Sequence, residues 1–359
     1  MLLRYYGITK LCQFILIIEF ILLLGDLRLV LEYNEILFYF NTDIIMKIGV
    51  LMDPIEGINT KKDSTFAMML EAQSRGYDIH YITQNDIYVE KHLPMANSKL
   101  LKLIDKKKNF FKVIQSQTIL LSELDVILMR KDPPFDMEYI MDTYILDMAE
   151  RLGVLIVNKP QALRDANEKF FTEAFPQCSP DCLISRNPEH IKGFAKKFDH
   201  VIIKPMDGMG GSSIFRTGKD DKNLNVIIET VTDEGKRTTM AQEFIPEINQ
   251  GDKRILIVNG SPIPYALARV PSEEDFRGNL AKGGTGVGVK LSADDYKICD
   301  VVGPKLKEMG ILFAGIDVIG KYLTEVNVTS PTCIRELDGL YNLNIAGQMF
   351  DEIEKIIDK

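Results

Sequence analysis

From Met46 onward, short apolar runs alternate with stretches of helical spacing. Lys-Ile-Gly-Val-Leu-Met (47–52) reads as a buried strand, followed by a loop carrying Asp53-Pro54. A helix begins near Asp63-Ser64, where Phe66, Met69, Leu70 and Gln73 recur at helical spacing, and Gly76 stops it. Residues 78–82 form a second predicted strand. Asp125-Val-Ile-Leu-Met129 is a third, a continuous apolar run of the kind found in sheets buried on both faces. A helix over 138–152, closed by Gly153, and a strand over 155–157 complete the series. This alternation predicts an α/β domain with a parallel sheet over residues 46–165. Arg130-Lys-Asp-Pro-Pro lies at the carboxyl end of the third strand, where open α/β sheets bind ligands.

The pattern then changes. Short strands are predicted at 201–204, 239–243, 253–259 and 264–269, and Asn259-Gly260-Ser261 marks a hairpin turn between the last two. Ser292-x-x-Asp295 marks the start of a helix running to Gly310, a weaker form of the capping box. Residues 166–359 therefore read as an α+β domain with antiparallel elements. No repeat or low-complexity tract interrupts either half.

Residues 1–45 differ in kind. Leu11 to Leu24 is mostly apolar and follows Arg4 and Lys10, as in a signal or anchor. Gln13 and Glu19 interrupt it, Asp26 and Arg28 follow at once, and no small-x-small cleavage site appears. The expectation is an upstream extension outside the fold, with a membrane anchor as the alternative.

Composition changes this picture little. In 359 residues, 46% hydrophobic and 26% charged content describe a packed globular protein of two or three domains. The net charge of −8 argues against nonspecific nucleic-acid binding, and Lys106-Lys107-Lys108 reads as a solvated loop. Five scattered cysteines (Cys12, Cys178, Cys182, Cys299, Cys333) form no zinc pattern and point to reduced thiols in the cytoplasm. Four separated histidines offer neither a histidine metal site nor a Ser-His-Asp arrangement.

Candidate chemistry concentrates near the C-terminus. Between Phe313 and Pro331, two apolar, β-branched-rich runs flank a Gly-containing break, as in a hairpin. A three-residue loop, Gly320-Lys321-Tyr322, places Ile319 opposite Leu323 and Asp317 opposite Glu325, with Asn327 on the same side. Two carboxylates and an amide oxygen there suit Mg²⁺ or Mn²⁺. A two-residue loop would put Asp317 and Glu325 on opposite faces, and a hairpin with ordinary solvated acids is the competing reading. Val201-Ile-Ile-Lys204-Pro205 ends in Asp207-Gly208-Met-Gly210-Gly211-Ser-Ser, a glycine cluster able to crowd N–H groups around an anion, or a plain turn. Gly283-Gly-Thr-Gly-Val-Gly288 resembles it without the lysine of a Walker A loop. Arg254 and Arg269 lie on neighbouring strands and face either one cleft or solvent.

Taken together, these stretches resemble the bacterial-type glutathione synthetases of the ATP-grasp superfamily. The resemblance runs from Met46 to the end through Asp125-Val-Ile-Leu-Met-Arg-Lys-Asp-Pro-Pro-Phe-Asp136, Val157-Asn-Lys-Pro-Gln, Lys204-Pro-Met-Asp-Gly-Met-Gly-Gly, Gly251-Asp-Lys-Arg254, Arg277-Gly-Asn-Leu and Leu323-Thr-Glu-Val-Asn-Val-Thr-Ser-Pro-Thr-Cys-Ile-Arg335. It has no counterpart for residues 1–45. It implies ATP-dependent ligation of γ-glutamylcysteine to glycine through an acyl phosphate, in a homotetramer. It assigns Lys169 and Lys204 to the ATP phosphates, Gly208, Gly210 and Gly211 to a loop over them, and Glu243, Phe244 and Ile245 to adenine. Asp317, Glu325 and Asn327 become metal ligands, with Glu325 bridging two ions. Arg130, Asp252, Arg254, Arg269, Arg277 and Arg335 fall on the peptide-substrate side, with Arg254 or Arg269 steadying the oxyanion. Residues 270–288 become a lid, in which Thr285 stands where some relatives carry arginine. A D-alanine or glutamate ligase and a nucleotide-binding regulator without turnover are the rival readings.

Overall fold

The computed structural model describes residues 45–208, 211–272, 278 and 285–358. Residues Met46–Lys359 form one compact unit. No described helix is long and apolar enough to cross a membrane.

The unit opens with β1 (Lys47–Met52), α1 (Ser64–Ser74) and β2 (Asp78–Ile82). Helix α1 starts where the sequence predicts, because Asp63 caps it by accepting from the Phe66 N–H at 2.6 Å. β3 (Ile87–Glu90), β4 (Leu93–Leu103) and β5 (Phe111–Leu120) follow, then β6 (Val126–Arg130), α2 (Met137–Arg151), β7 (Leu155–Val157) and α3 (Pro160–Asp165). The sheet runs β3-β4-β2-β1-β6-β7, with β5 on the other flank of β4. Pairs β1–β2, β1–β6 and β6–β7 are parallel, as predicted. The β3–β4–β5 meander is antiparallel and pairs with β2, so the sheet is mixed around that parallel core. It carries little apolar periodicity because most of β5 is exposed.

The rest of the chain builds two antiparallel sheets. β8 (Cys182–Ser185), α4 (Pro188–Ala195), β9 (Val201–Pro205), β10 (Phe215–Thr217), α5 (Leu224–Thr232) and β11 (Thr239–Glu243) give a four-stranded sheet ordered β10-β9-β11-β8. Ile191, Phe194, Val201, Ile203, Ile228 and Ala241 pack its helices onto it. β12 (Asp252–Val258), β13 (Ser261–Val270), β14 (Thr285–Lys290), α6 (Ala293–Met309), β15 (Phe313–Ile319) and β16 (Tyr322–Asn327) follow, and α7 (Ile334–Tyr341) and α8 (Ile345–Ile357) close the chain. Their sheet is ordered β14-β13-β12-β15-β16. Asn259 and Gly260 both take positive φ (46° and 82°), the geometry of the tight hairpin turn predicted between β12 and β13. Ser292 and Asp295 form a reciprocal capping box at the start of α6, and Gly310 ends it in the left-handed region.

The β15–β16 hairpin corrects the predicted loop. Ile319 pairs with Tyr322 and Val318 with Leu323, so the turn holds two residues, Gly320 and Lys321, and not three. The ladder then slips by one position, and Asp317 pairs with Glu325 after all. Thr324 is the extra residue of this β-bulge, and its hydroxyl donates to the Asp317 carbonyl at 3.2 Å. The bulge restores the shared face that a regular two-residue hairpin would have destroyed.

Candidate active site

A cavity of about 350 Å³ is lined by residues of the second and third sheets and by Asp132 and Pro133, which follow β6. Its walls bring together two lysines, two arginines and a set of carboxylates. Lys204 lies within β9, buried, and its Nζ donates to Gln242 Oε1 on the adjacent β11 at 3.1 Å. No carboxylate pairs with it among the described residues, and burial pulls its pKa down to about 8. Lys169 is buried too, donates to the Gly208 carbonyl at 2.6 Å and lies 3.0 Å from Glu325 Oε1. Burial opposes the Lys169 charge, but Glu325 outweighs it and the pKa is raised. The segment before Lys169 is tied to β16: the Glu168 carbonyl accepts from Val326 N–H at 2.8 Å, and Glu168 Oε1 accepts from the Thr329 hydroxyl at 2.7 Å.

Opposite the lysines lies an ionic cluster. Antiparallel pairing sets Arg254 beside Asp317, and Arg269 beside Asp252. Arg254 Nε and Nη2 reach Asp317 at 2.5 and 2.9 Å, and Arg269 Nη2 reaches it at 2.8 Å and also binds Asp252. Burial opposes the Asp317 charge, yet the two guanidiniums hold its pKa well below the usual carboxylate range. Asp252 goes the other way, pushed up to about 6 by burial and the nearby Asp317 charge against the pull of Arg269. Gly315 makes room for this cluster: a Cβ there would lie 2.7 Å from Arg254 Cδ.

The hairpin donors fit a hard divalent cation. Glu325 is 23% exposed and lines the cavity beside Asn327, whose buried Nδ2 is held by no hydrogen bond, so the carboxamide can turn its Oδ1 to a cation. Asp317 already accepts three N–H contacts, leaving one of about four acceptor positions. Among the described residues no group of three or more His, Cys, Asp or Glu side chains is arranged to hold a metal, and Asp317, Glu325 and Asn327 would offer a set of two acids and an amide. All of its donors are oxygens, as such cations require.

Residues 46–164 match the family model of the prokaryotic glutathione synthetase N-terminal domain, and residues 168–342 that of the prokaryotic glutathione synthetase ATP-grasp domain. The chain belongs to the prokaryotic glutathione synthetase family. It is 55% identical over 311 residues to the glutathione synthetase of Vibrio cholerae serotype O1, covering 87% of this chain and 98% of the relative. A glutathione synthetase of Vibrio vulnificus is 53% identical over 312 residues, with the same coverage. The solved structure of an ATP-grasp ligase complexed with a minimal precursor superposes with a TM-score of 0.58 at 18% identity, covering 87% of this chain and 99% of the other, a likeness of fold. Like its family, the chain is an ATP-dependent ligase with a divalent-metal requirement.

The cavity gathers most of the residues expected to serve a glutathione synthetase. Lys169, Lys204, Gly208, Gly211, Glu243, Phe244, Ile245, Asp252, Arg254, Arg269, Asp317, Glu325 and Asn327 all line it. Gly210, Arg277 and most of the expected lid lie outside the described residues. Gly278 of that segment does line the cavity, and a Cβ on it would fall 2.3 Å from the Arg269 carbonyl. Thr285 is exposed and pairs with Val270 at the start of β14. Arg130 and Arg335 do not reach the cavity wall. Arg130 is buried behind it, donating to Thr65 Oγ1 at 3.1 Å and to the Pro331 carbonyl at 2.9 Å. Arg335 forms a forked pair with Asp105 at 3.0 and 2.9 Å. Sequence reasoning missed Glu168 and Gln242. The only signal for Glu168 was its place beside Lys169, and Gln242 had none beyond its strand.

Proposed function

We propose that the cavity joins γ-glutamylcysteine to glycine at the expense of ATP, using the residues that converge on it. The observation that carries this reading is the convergence of Lys169 and Lys204 with Asp317, Glu325 and Asn327 on one cavity. Lys169 and Lys204 hold the ATP phosphates, with Gly208, Gly210 and Gly211 over them. Adenine is read by the backbone of Glu243–Ile245. The N–H groups of Glu243 and Phe244 are committed to the carbonyls of Asp181 and His200, so the Glu243 carbonyl and the Ile245 N–H are the reading edge. Asp317, Glu325 and Asn327 hold Mg²⁺ or Mn²⁺, which when bound offsets the negative charge of the phosphates.

The cysteinyl carboxylate of the dipeptide attacks the γ-phosphorus and ADP leaves. The amine of glycine then attacks the acyl phosphate, and phosphate departs as the peptide bond forms. Arg254 engages Asp317 through Nε and Nη2, and its remaining N–H groups are available to the oxyanion, as are those of Arg269. Asp252, Arg277, Arg130 and Arg335 serve the peptide side, the last two through the loop from Ser330 to Arg335. The lid over 270–288 keeps water from the acyl phosphate. The catalytic ATP-grasp part spans 166–359, the substrate-side domain 46–165, and residues 1–45 are not needed for ligation. The enzyme works in the cytoplasm as a homotetramer, in keeping with the free thiols of Cys178, Cys182, Cys299 and Cys333.

Incubating the protein with ATP, Mg²⁺ or Mn²⁺, γ-glutamylcysteine labelled with ¹⁸O in its cysteinyl carboxylate, and a panel of amino acids tests this. Glutathione, ADP and ¹⁸O-phosphate in equal amounts, with glycine preferred, are expected. ADP release that ignores γ-glutamylcysteine, or label that stays out of phosphate, would sink the proposal.

A further inference from the structure

We propose that Asn158 is a positioning residue that holds the open end of the β15–β16 hairpin, and with it the metal-facing side of the site. The inference rests on the ligase reading of the cavity. Asn158 follows β7 in the first sheet and is only 4% exposed. Its Oδ1 accepts from Phe313 N–H at 3.0 Å, and its Nδ2 donates to the Phe313 carbonyl and to the Val328 carbonyl, each at 2.7 Å. The last rung of the hairpin pairs Gly315 with Asn327, and Phe313 and Val328 lie just beyond that rung on its two strands. The carboxamide thus acts as one further rung, a side chain doing what a peptide group does in a ladder.

Three parts of the site depend on where those strands end. Asn327 is on the last rung itself. The Phe313 ring carries the Arg130 guanidinium 5.7 Å from its centroid. Thr329, next to Val328, is clamped from the other side by Glu168. A buried amide whose donors and acceptor are all used by backbone 155 and 170 residues away fixes separation and register there, and supporting groups of this kind govern ligand affinity.

Asn158→Asp removes both donors and sets a carboxylate against two carbonyls. Leu146→Ala, at a fully buried position in α2, serves as a control for lost stability alone. Hydrogen exchange, thermal stability, kcat and the Mg²⁺ concentration for half-maximal activity are measured on all three proteins. The expected result for Asn158→Asp is faster exchange at 313–317 and 325–329, with about a 10- to 100-fold loss in Mg²⁺ affinity or kcat. Leu146→Ala is expected to lose stability and change neither. Unchanged exchange at 325–329 overturns the proposal, as does lowered stability with normal kcat and Mg²⁺ dependence. If Asn158→Asp does not fold, Asn158→Ser decides by the same readouts. If the wild-type protein makes no glutathione, the ligase reading fails, and the exchange pattern alone decides on Asn158.

Discussion

Lys169 Nζ lies 3.0 Å from Glu325 Oε1, an ion pair between a proposed phosphate ligand and a proposed metal ligand. Bound nucleotide and metal would each draw one member of this pair away, so the two side chains act as a unit. Glu325→Gln is expected to lower kcat on the order of 100-fold. The double variant with Lys169→Met should lose less than the sum of the single losses, because each single change already disables the pair. Steady-state kinetics on the four proteins of the cycle check this, and strict additivity would separate the two roles.

Asp317→Asn is expected to act mainly on stability. It leaves the Arg254 and Arg269 guanidiniums buried without their shared anion, at a cost of about 3–5 kcal/mol. The folded pKa of Asp317 is depressed, so its contribution is present above its unfolded value near 4 and lost as pH falls through the folded one. Denaturant titrations should therefore show a wide gap between wild type and variant at pH 7 that narrows below about pH 4. Activity at saturating Mg²⁺ should fall less than in Glu325→Gln.

Lys204, as a proposed phosphate ligand, is expected to make ATP binding pH-dependent. Its pKa of about 8 means that the charge meeting the phosphates is lost as pH rises through that value, and affinity for ATP should weaken accordingly. The nucleotide-free protein should respond in the opposite sense. Between pH 8 and about 10.4 the unfolded chain keeps a proton at this lysine that the folded one has shed, so stability rises with pH. Lys204→Met should abolish both trends, as nucleotide titrations and melting curves from pH 7 to 10 would reveal.

Residues 46–359 are expected to fold and ligate without the preceding 45. β1 starts at Lys47, and among the described residues its ladder partners come from β2 and β6. Matching melting temperature and kcat in the truncated protein is the expected outcome, and loss of either assigns residues 1–45 a part in the fold.

Legibility from sequence followed the reach of each interaction. The Asp63 cap, the Asn259–Gly260 turn and the Ser292–Asp295 box involve neighbours in the chain, and the structure has all three. β6 was readable because both of its faces are buried. β5 was not, since solvent on both faces leaves no alternation to detect. Glu168 and Asn158 escaped notice because their partners lie some 160 residues away, and nothing local marks a side chain that serves distant backbone. The forked pair of Arg335 with Asp105 escaped for the same reason, since Asp105 lies in the unpredicted meander.

Because the slip in the last hairpin occurs at Thr324, the turn contributes only its length to the active face. Gly320 and Lys321 have only to reverse the chain, while the offset that brings Glu325 across from Asp317 is stored three residues further on. Turn chemistry and site chemistry are thereby free to drift apart. Sequences of this kind should accept many substitutions at Lys321, with Gly320 kept for its positive φ, but the gain or loss of a single residue between Leu323 and Asn327 would turn a working face into an ordinary one.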